Sequence, residues 1–239
     1  LTLSARSPEA LKMVAGRFAE RIRSGSLPDV AYSAHLTRGR FSHRLSVVGN
    51  TNEVAASRLS AFSAGDFAEG ANDAEVKGRR APIALLFTGQ GSQSPGMGKE
   101  IYETSPVFRE ALDRVAGLCS AHLEGDLLEV IFPTAESDRR IHQTAWTQPA
   151  LFAWEYAMYR LVASWGVEPD AVAGHSIGEW VAACVAGVLS VEDAAAIVCK
   201  RGALMQSLPA GGSMAAVFAG EAEVSKVLAE FGGRVDLAG

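Results

Sequence analysis

The segment Gly174-His-Ser-Ile-Gly178 has the residue types and spacing of a catalytic serine motif. A short apolar run precedes it, and an alanine-rich helical pattern over 180–188 follows it. A strand, a sharp turn and a helix in this order are typical of a nucleophile elbow, in which the two glycines permit a tight turn and the serine hydroxyl is exposed. The five residues alone are a weak signal, so the flanking strand and helix carry the prediction. Ser176 is therefore the candidate nucleophile.

A serine nucleophile needs a base that removes its proton, and histidine is the usual one. His175 is adjacent in sequence, but neighbouring side chains of extended backbone point to opposite sides, which favours a structural role. His122 and His142 lie upstream, and no histidine follows Ser176. The base is therefore an unexpected upstream residue or is absent from this chain.

A glycine-rich loop, Thr88–Gly98, follows the apolar run Ile83–Phe87. Its spacing does not fit a dinucleotide fingerprint, because Ser94 stands at the third glycine position. It does not fit a P-loop either, because Met97 stands where the lysine is required. The loop is either a plain tight turn or a backbone segment that approaches another group closely.

Arg201 follows Lys200 late in a predicted helix. A pair of this kind more often forms a solvated face. The alternative is a guanidinium that holds a substrate carboxylate through two parallel hydrogen bonds.

The composition bounds the possible classes of protein. The chain has 239 residues, 48% of them hydrophobic, and a net charge of −5, which allows one large domain or two small ones. We expect no nucleic-acid partner and no membrane partner, because no basic patch and no apolar run of bilayer length occurs. The 3 cysteines lack metal-ligand spacing and indicate reduced thiols in a cytoplasmic protein. Because the chain starts at Leu1 without a signal peptide, we expect it to be part of a longer polypeptide.

The first 80 residues predict a small α+β unit. Ser7 is the expected cap of its first helix, and Asn50 with Glu53 resembles a capping box for a later one. The predicted elements are strand 1–4, a helix from Pro8, helix 28–36, strand 44–48, a helix from Asn50 and an edge strand at 75–77.

From residue 81 onward strands alternate with helices, which predicts a largely parallel sheet covered on both faces. The predicted elements are strand 83–87, helix 105–122, the short apolar segment 127–132, helix 150–165, the elbow strand and helix, helix 190–208, strand 213–218, helix 221–231 and a strand at Val235.

Four motifs in this order and spacing resemble the acyltransferase domain of modular type I polyketide synthases and the related malonyl-CoA:acyl-carrier-protein transacylases. They are Phe87–Gln93, Thr147–Ala150, Gly174–Glu179 and Arg201–Met205. The resemblance covers essentially the whole chain. It implies an α/β fold with three parts: a ketosynthase–acyltransferase linker domain at 1–80, an α/β-hydrolase-like parallel-sheet core at 81–209, and the incomplete start of a ferredoxin-like small subdomain at 210–239.

The resemblance also implies the roles of the site residues. Ser176 is the acylated nucleophile, and the backbone N–H groups of Gln90 and Ile177 form the oxyanion hole. Arg201 pairs with the free carboxylate of a malonyl-type unit, and Gln148 lines the pocket. The substrate-binding residues so predicted are Arg201, Gln148, His175 and Gln90.

The resemblance further implies the substrate and partners. The small apolar Ile177 and the segment 143–148 favour malonyl over methylmalonyl, with a methylmalonyl-selective enzyme as the alternative. The expected partners are malonyl-CoA, an acyl carrier protein with its phosphopantetheine arm, and a ketosynthase domain in the same polypeptide; no metal or resident cofactor is expected. The family's catalytic histidine lies downstream of this segment, so we expect the 239 residues alone to be inactive. A serine hydrolase of thioesterase type and a non-catalytic scaffold fragment are the rival interpretations.

Overall fold

The computed structural model describes residues 1–78, 80–135, 137–209, 211–212, 215 and 217–237. The chain divides into two compact units, Leu1–Ala81 and Pro82–Gly239, next to the domain boundary that the sequence suggests. None of the helices in the described part of the chain combines the length and hydropathy that a bilayer span requires.

The first unit combines an antiparallel sheet with helices. Its elements are β1 (Thr2–Ala5), α1 (Pro8–Arg23), α2 (Leu27–Thr37), β2 (His43–Val47), α3 (Asn52–Ala64) and β3 (Ala71–Glu75). Within the described residues the strand order is β1-β2-β3, with β2 in the centre. An edge strand is present as β3, but the predicted bounds 75–77 are wrong, because only Glu75 of that segment belongs to it.

Side-chain caps set the first residues of these helices. Ser7 caps α1 as predicted, because its Oγ accepts a hydrogen bond from the Ala10 N–H at 3.1 Å. The predicted capping box of Asn50 and Glu53 is wrong. The helix starts later, and Thr51 Oγ1 accepts the N–H three residues on at 3.2 Å.

A single apolar face of α1 closes the core of the first unit. This face follows the helical period and packs against α3 and the sheet. Its buried residues are Leu11, Ala15, Ala19 and Ile22.

The second unit contains a parallel strand pair among helices. Its elements are β4 (Ala84–Phe87), α4 (Lys99–Thr104), α5 (Pro106–Cys119), α6 (Leu127–Ile131), a 3₁₀ turn (Arg140–His142), α7 (Thr144–Ser164), β5 (Ala171–Gly174), α8 (Ile177–Val185), α9 (Val191–Gln206), α10 (Glu221–Leu228) and a second 3₁₀ turn (Ala229–Phe231).

β4 and β5 pair in parallel, from Ala84 opposite Ala171 to Phe87 opposite Gly174. Side chains alternate between the two faces of a strand, and here the faces differ. Phe87 packs against the helical core, whereas Leu86 on the other face is 77% exposed. In the described residues the predicted parallel sheet is thus represented by two strands with one covered face.

α7 is the central helix of this unit and packs against α5, α8 and α9. The predicted start at residue 150 is wrong, because α7 begins at Thr144 and runs through Pro149. Pro149 lies beyond the first turn, so it removes the hydrogen bond to the carbonyl four residues earlier, and its ring crowds that carbonyl. Because of the earlier start, Gln148 lies one helical turn after Thr144, on the same face.

In the last part of the chain the structure contains the predicted helix. The predicted helix 221–231 is found as α10 followed by the 3₁₀ turn. The predicted strand 213–218 lies partly outside the described residues, namely at Ser213, Met214 and Ala216. The described residues of that segment, and Val235, belong to no strand.

Candidate active site

Ser176 occupies a sharp turn between β5 and α8. Its backbone has φ 55° and ψ −108°, and among the described residues it is the only non-glycine residue with a positive φ. A side chain held in this region costs on the order of 1–3 kcal/mol, which the surrounding structure must supply. The structure therefore has the strained strand–turn–helix geometry that the sequence predicts.

The two glycines of the motif are required by close backbone contacts. A Cβ added to Gly174 would lie 2.1 Å from the backbone of Gly178. A Cβ added to Gly178 would lie 2.5 Å from the carbonyl oxygens of both Phe87 and Thr88. The start of α8 thus rests directly on the end of β4, which brings the glycine-rich loop beside Ser176.

Among the described residues at this junction, some backbone N–H groups donate hydrogen bonds and one does not. Those of Gly178 and Glu179 donate to the carbonyls of His175 and Ser176, at 3.0 and 3.2 Å. The N–H of Ile177 donates no hydrogen bond within the described part of the chain. Its side chain is buried in the hydrophobic core, which holds the residue in place at the turn.

Arg201 reaches the elbow from α9. Its Nη2 donates to Ser176 Oγ at 3.1 Å, and its Nη1 donates to Gln148 Oε1 at 2.5 Å. The solvated-face interpretation of this arginine does not fit these contacts. A cation that contacts the hydroxyl of the elbow serine is placed to bind an anionic group attached to that hydroxyl.

Gln148 and Gln90 meet at Thr144, the first residue of α7. Gln148 is fully buried, and its Nε2 donates to Thr144 Oγ1 at 3.0 Å and contacts Met205 Sδ at 3.1 Å. Gln90 Nε2 donates to the same Thr144 oxygen at 2.8 Å. The sequence analysis missed Thr144; the spacing of four residues to Gln148 would have indicated it if the helix start had been placed correctly.

α9 approaches the first turn of α7 closely beside Arg201. A Cβ added to Gly202 would lie 3.0 Å from the Thr144 carbonyl oxygen and 3.2 Å from the Ala145 Cα. Because Gly202 has no side chain, α9 can lie this close to α7. This close approach sets how far the Arg201 side chain extends toward Ser176.

The glycine-rich loop is closed by its own hydroxyl groups. Thr88 Oγ1 lies 2.8 Å from Ser92 Oγ, which donates to the Gly89 carbonyl at 3.2 Å. The Gly91 N–H donates to Gln93 Oε1 at 2.7 Å. The Gln90 N–H donates no hydrogen bond within the described residues, so it is available to a ligand.

Glu155 on α7 holds the start of this loop, and the sequence analysis missed it. Its Oε1 accepts the Thr88 N–H at 2.8 Å and lies 2.5 Å from Thr88 Oγ1. Its Oε2 is buried and has no hydrogen-bond partner among the described residues. Burial raises the pKa of this carboxyl, against the smaller opposing effect of the hydrogen bonds from Thr88.

None of the described histidines is hydrogen-bonded to Ser176. The exposed His175 ring lies against Gly89, where an added Cβ would be 2.5 Å from its Nδ1. His142 Nδ1 lies 3.4 Å from Gln93 Nε2, and the His122 ring makes no hydrogen bond to any residue that the structure describes. The described residues also contain no cluster of three or more histidine, cysteine or acidic side chains that could hold a metal ion.

Comparison with known proteins matches both units of the chain. The family model "Acyl transferase domain" matches residues 84–232, and the model "CurL-like, PKS C-terminal" matches residues 1–59. Polyketide synthase GfsA of Streptomyces halstedii is 43% identical over 98% of this chain. The aligned part is 3% of that synthase, so the chain spans a small fraction of the relatives that it matches.

Two solved structures extend the similarity to the fold. The acyltransferase domain from module 8 of the salinomycin polyketide synthase has a TM-score of 0.84 and 32% identity, over 99% of this chain and 56% of that one. The acyltransferase domain of SpnD, in complex with 2-(pent-4-yn-1-yl)malonyl, has a TM-score of 0.73 and 35% identity, over 85% of this chain and 48% of that one. With its elbow serine and matched family model, the chain belongs to the acyltransferase domains of modular type I polyketide synthases.

Proposed function

We propose that this chain carries the nucleophile and the carboxylate-binding residues of a malonyl-CoA:acyl-carrier-protein acyltransferase. The observation that carries the proposal is the pair of bonds from Arg201 to Ser176 Oγ and to Gln148. A guanidinium fixed in this way lies within reach of an acyl group on the serine and of a carboxylate at the end of that group. The malonyl derivative bound to the similar SpnD domain supports this class of substrate.

In the first half of the reaction Ser176 Oγ attacks the thioester carbonyl of malonyl-CoA. A base removes the hydroxyl proton, the carbon–oxygen ester bond forms, the carbon–sulfur bond breaks, and the CoA thiolate takes up a proton. The free N–H groups of Gln90 and Ile177 stabilise the tetrahedral oxyanion; one such donor is worth roughly 10²–10³ in rate. The base is not among the described residues, and the family resemblance assigns it to a later part of the domain.

Substrate selection depends on Arg201 and its buried partner. Gln148 Oε1 accepts a hydrogen bond from Nη1 of Arg201. When the substrate binds, Nη2 releases the Ser176 hydroxyl and donates to the substrate carboxylate instead. A charge-assisted hydrogen bond of this kind is worth about 1.5–3 kcal/mol. Malonyl is preferred to a neutral acetyl group for this reason. The preference for malonyl over methylmalonyl rests on the family pattern at Ile177 and residues 143–148.

In the second half the phosphopantetheine thiol of an acyl carrier protein attacks the acyl-serine ester. The thiol gives its proton to the base, the carbon–sulfur bond to the malonyl group forms, the carbon–oxygen ester bond breaks, and the base returns the proton to Ser176. Two half-reactions at one serine give ping-pong kinetics. The proposed chemistry requires no metal and no resident cofactor, and it takes place within a synthase that also contains a ketosynthase domain.

Intact-mass analysis of the full-length acyltransferase domain tests this proposal. Malonyl-, methylmalonyl- and acetyl-CoA are offered together to the wild type and to the Ser176→Ala, Arg201→Ala and Arg201→Lys variants. We expect a single malonyl adduct that Ser176→Ala abolishes. Arg201→Ala should reduce the preference for malonyl over acetyl by roughly 10- to 100-fold, and Arg201→Lys by less, because it keeps the charge but not the planar fork.

Other outcomes contradict the proposal in defined ways. A methylmalonyl adduct keeps the transferase and overturns the selectivity. Rapid release of the acyl group to water, unaffected by Arg201→Ala, indicates a hydrolase of neutral esters. No adduct from any of the three donors overturns the proposed function and favours a scaffold role.

A further inference from the structure

Glu155 is buried at 5% exposure and takes no part in the proposed chemistry. It is the one acidic side chain counted as buried in the part of the chain that the structure describes, and no cation there pairs with it. A carboxyl removed from water in this way is costly to keep ionised. Its hydrogen bonds all go to Thr88, the first residue of the loop that carries Gln90.

Hydroxyl groups connect this carboxyl to the rest of the loop. Thr88 Oγ1 donates to Glu155 Oε1 and lies 2.8 Å from Ser92 Oγ. Ser92 Oγ in turn donates to the Gly89 carbonyl. Glu155 is thus the buried end of a chain of contacts that reaches the peptide unit between Gly89 and Gln90. Burial raises the pKa of this carboxyl.

The residues held by Glu155 are those that touch the elbow. The Thr88 carbonyl lies against Gly178, and Gly89 lies against the His175 ring. Once Ser92 fixes the Gly89 carbonyl, the next peptide N–H, that of Gln90, has a set direction, because a peptide unit is planar. A displaced donor loses most of its effect on an oxyanion, whose position is set by the serine.

We propose that Glu155 is a positioning residue of the acyltransferase, whose buried carboxyl holds the Thr88–Ser92 turn and thereby directs the Gln90 N–H at the acyl-serine oxyanion. The proposal rests on the proposed function for its kinetic consequence but not for the structural one. Glu155→Gln is the conservative variant, since an amide has nearly the same shape and keeps an oxygen acceptor for the N–H and hydroxyl of Thr88. Leu161→Ala is the matched control, because Leu161 is buried on the same helix nearly two turns after Glu155.

Single-turnover acylation of Ser176 in the full-length synthase gives the kinetic test. We expect Glu155→Ala to lower the maximal acylation rate by roughly 10- to 100-fold, with the half-saturating malonyl-CoA concentration within about twofold. Glu155→Gln should restore the rate to within about fivefold of the wild type, and Leu161→Ala should leave it unchanged. A wild-type rate in Glu155→Ala, or an equal loss in Leu161→Ala, would overturn the proposal.

Hydrogen–deuterium exchange of the backbone amides of residues 87–93 gives a test that does not depend on activity. We expect faster exchange in Glu155→Ala than in the wild type, and wild-type exchange in Glu155→Gln and in Leu161→Ala. Unchanged exchange in Glu155→Ala would refute the positioning role even if acylation were slower. If the wild type fails to acylate, the proposed function fails by itself, and the exchange result still decides whether Glu155 orders the turn.

Discussion

Two serines stand before two consecutive helices of the second unit and use their hydroxyl groups in opposite ways. Ser190 precedes α9 with φ −69°, and its Oγ accepts the Asp193 N–H at 3.0 Å, as a helix cap does. Ser176 precedes α8 with φ 55° and makes no cap bond. Its Oγ instead accepts a hydrogen bond from Arg201.

The comparison shows how the fold releases a hydroxyl for chemistry. A cap serine in extended backbone turns its oxygen back to the helix and stabilises it. The positive φ of Ser176 accompanies an oxygen that contacts Arg201 and not the helix, and the N–H of Ile177 at the same turn donates no hydrogen bond to a described residue. The elbow therefore lacks a cap bond and carries backbone strain, and it presents together the hydroxyl and the N–H that the proposed acyl transfer uses.

Gly178→Ala should break the elbow and has the largest expected effect on stability. The new methyl would lie 2.5 Å from two carbonyl oxygens of the loop, so backbone must move. We expect a loss of roughly 3 kcal/mol in the free energy of unfolding. All 4 tryptophans lie in the second unit, so their fluorescence during urea unfolding measures this change.

Gly117→Ala provides the control for that measurement. Gly117 lies in α5, and a Cβ there would meet nothing within 4 Å. Alanine should stabilise this helix by about 0.5–1 kcal/mol, because it lowers the backbone entropy of the unfolded chain. Equal effects of the two variants would show that the elbow has no special packing requirement.

Ser190→Ala tests the other serine of the comparison. Loss of the cap bond to Asp193 should cost about 1 kcal/mol of unfolding free energy, and Ser190→Gly only a few tenths. Acylation should be unaffected in both variants. Ser176→Ala removes no cap, so its unfolding free energy should stay within about 0.5 kcal/mol of the wild type while acylation disappears. A stability loss at Ser176 as large as that at Ser190 would contradict the contrast between the two positions.

The smallest effect on stability is expected from a change of pH, which acts through the buried carboxyl of Glu155. The pKa of Glu155 is raised above its ordinary 4.5 by burial, so the folded protein holds this proton more tightly than the unfolded chain. Its contribution to stability is complete below about pH 4.5 and is lost as the pH rises through the folded-state pKa. Glu155→Gln has no such proton to lose. We therefore expect the unfolding midpoint of the wild type to fall relative to that of Glu155→Gln as the pH rises from 4.5. A constant difference between the two midpoints over this range would contradict the raised pKa.

The sequence predicts the elements that local chemistry determines. Ser7 caps α1 as predicted, and α5 and α9 begin within one residue of the predicted starts at 105 and 190, because each start has a serine whose cap bond depends on residues three positions apart. The strained turn at Ser176 is also predictable, since two glycines and a serine define it locally. The start of α7 is not predictable in this way. Pro149 is typical of a helix start, so the local pattern places the start too late. The helix instead begins at Thr144, and Thr147 and Gln148 are buried in its first two turns.

Contacts between distant parts of the chain are beyond local reasoning. Arg201 beside a lysine has the pattern of a solvated face, and only the packing of α9 on α7 brings it to Ser176. Glu155 lies in an apolar helix as a lone acid, and its partner Thr88 is 67 residues away. The resemblance to a family supplied the role of Arg201, whereas Glu155 emerged only from the burial and hydrogen bonds of the folded chain.

The close contact at Gly202 has a consequence for protein engineering. The distance between the Arg201 guanidinium and Ser176 depends on how near the backbones of α9 and α7 approach each other. A single methyl at this position meets the Thr144 carbonyl at 3.0 Å, so the helices must separate by a few tenths of an ångström. We therefore expect a substitution at position 202 to move the Arg201 guanidinium relative to Ser176 without changing either side chain.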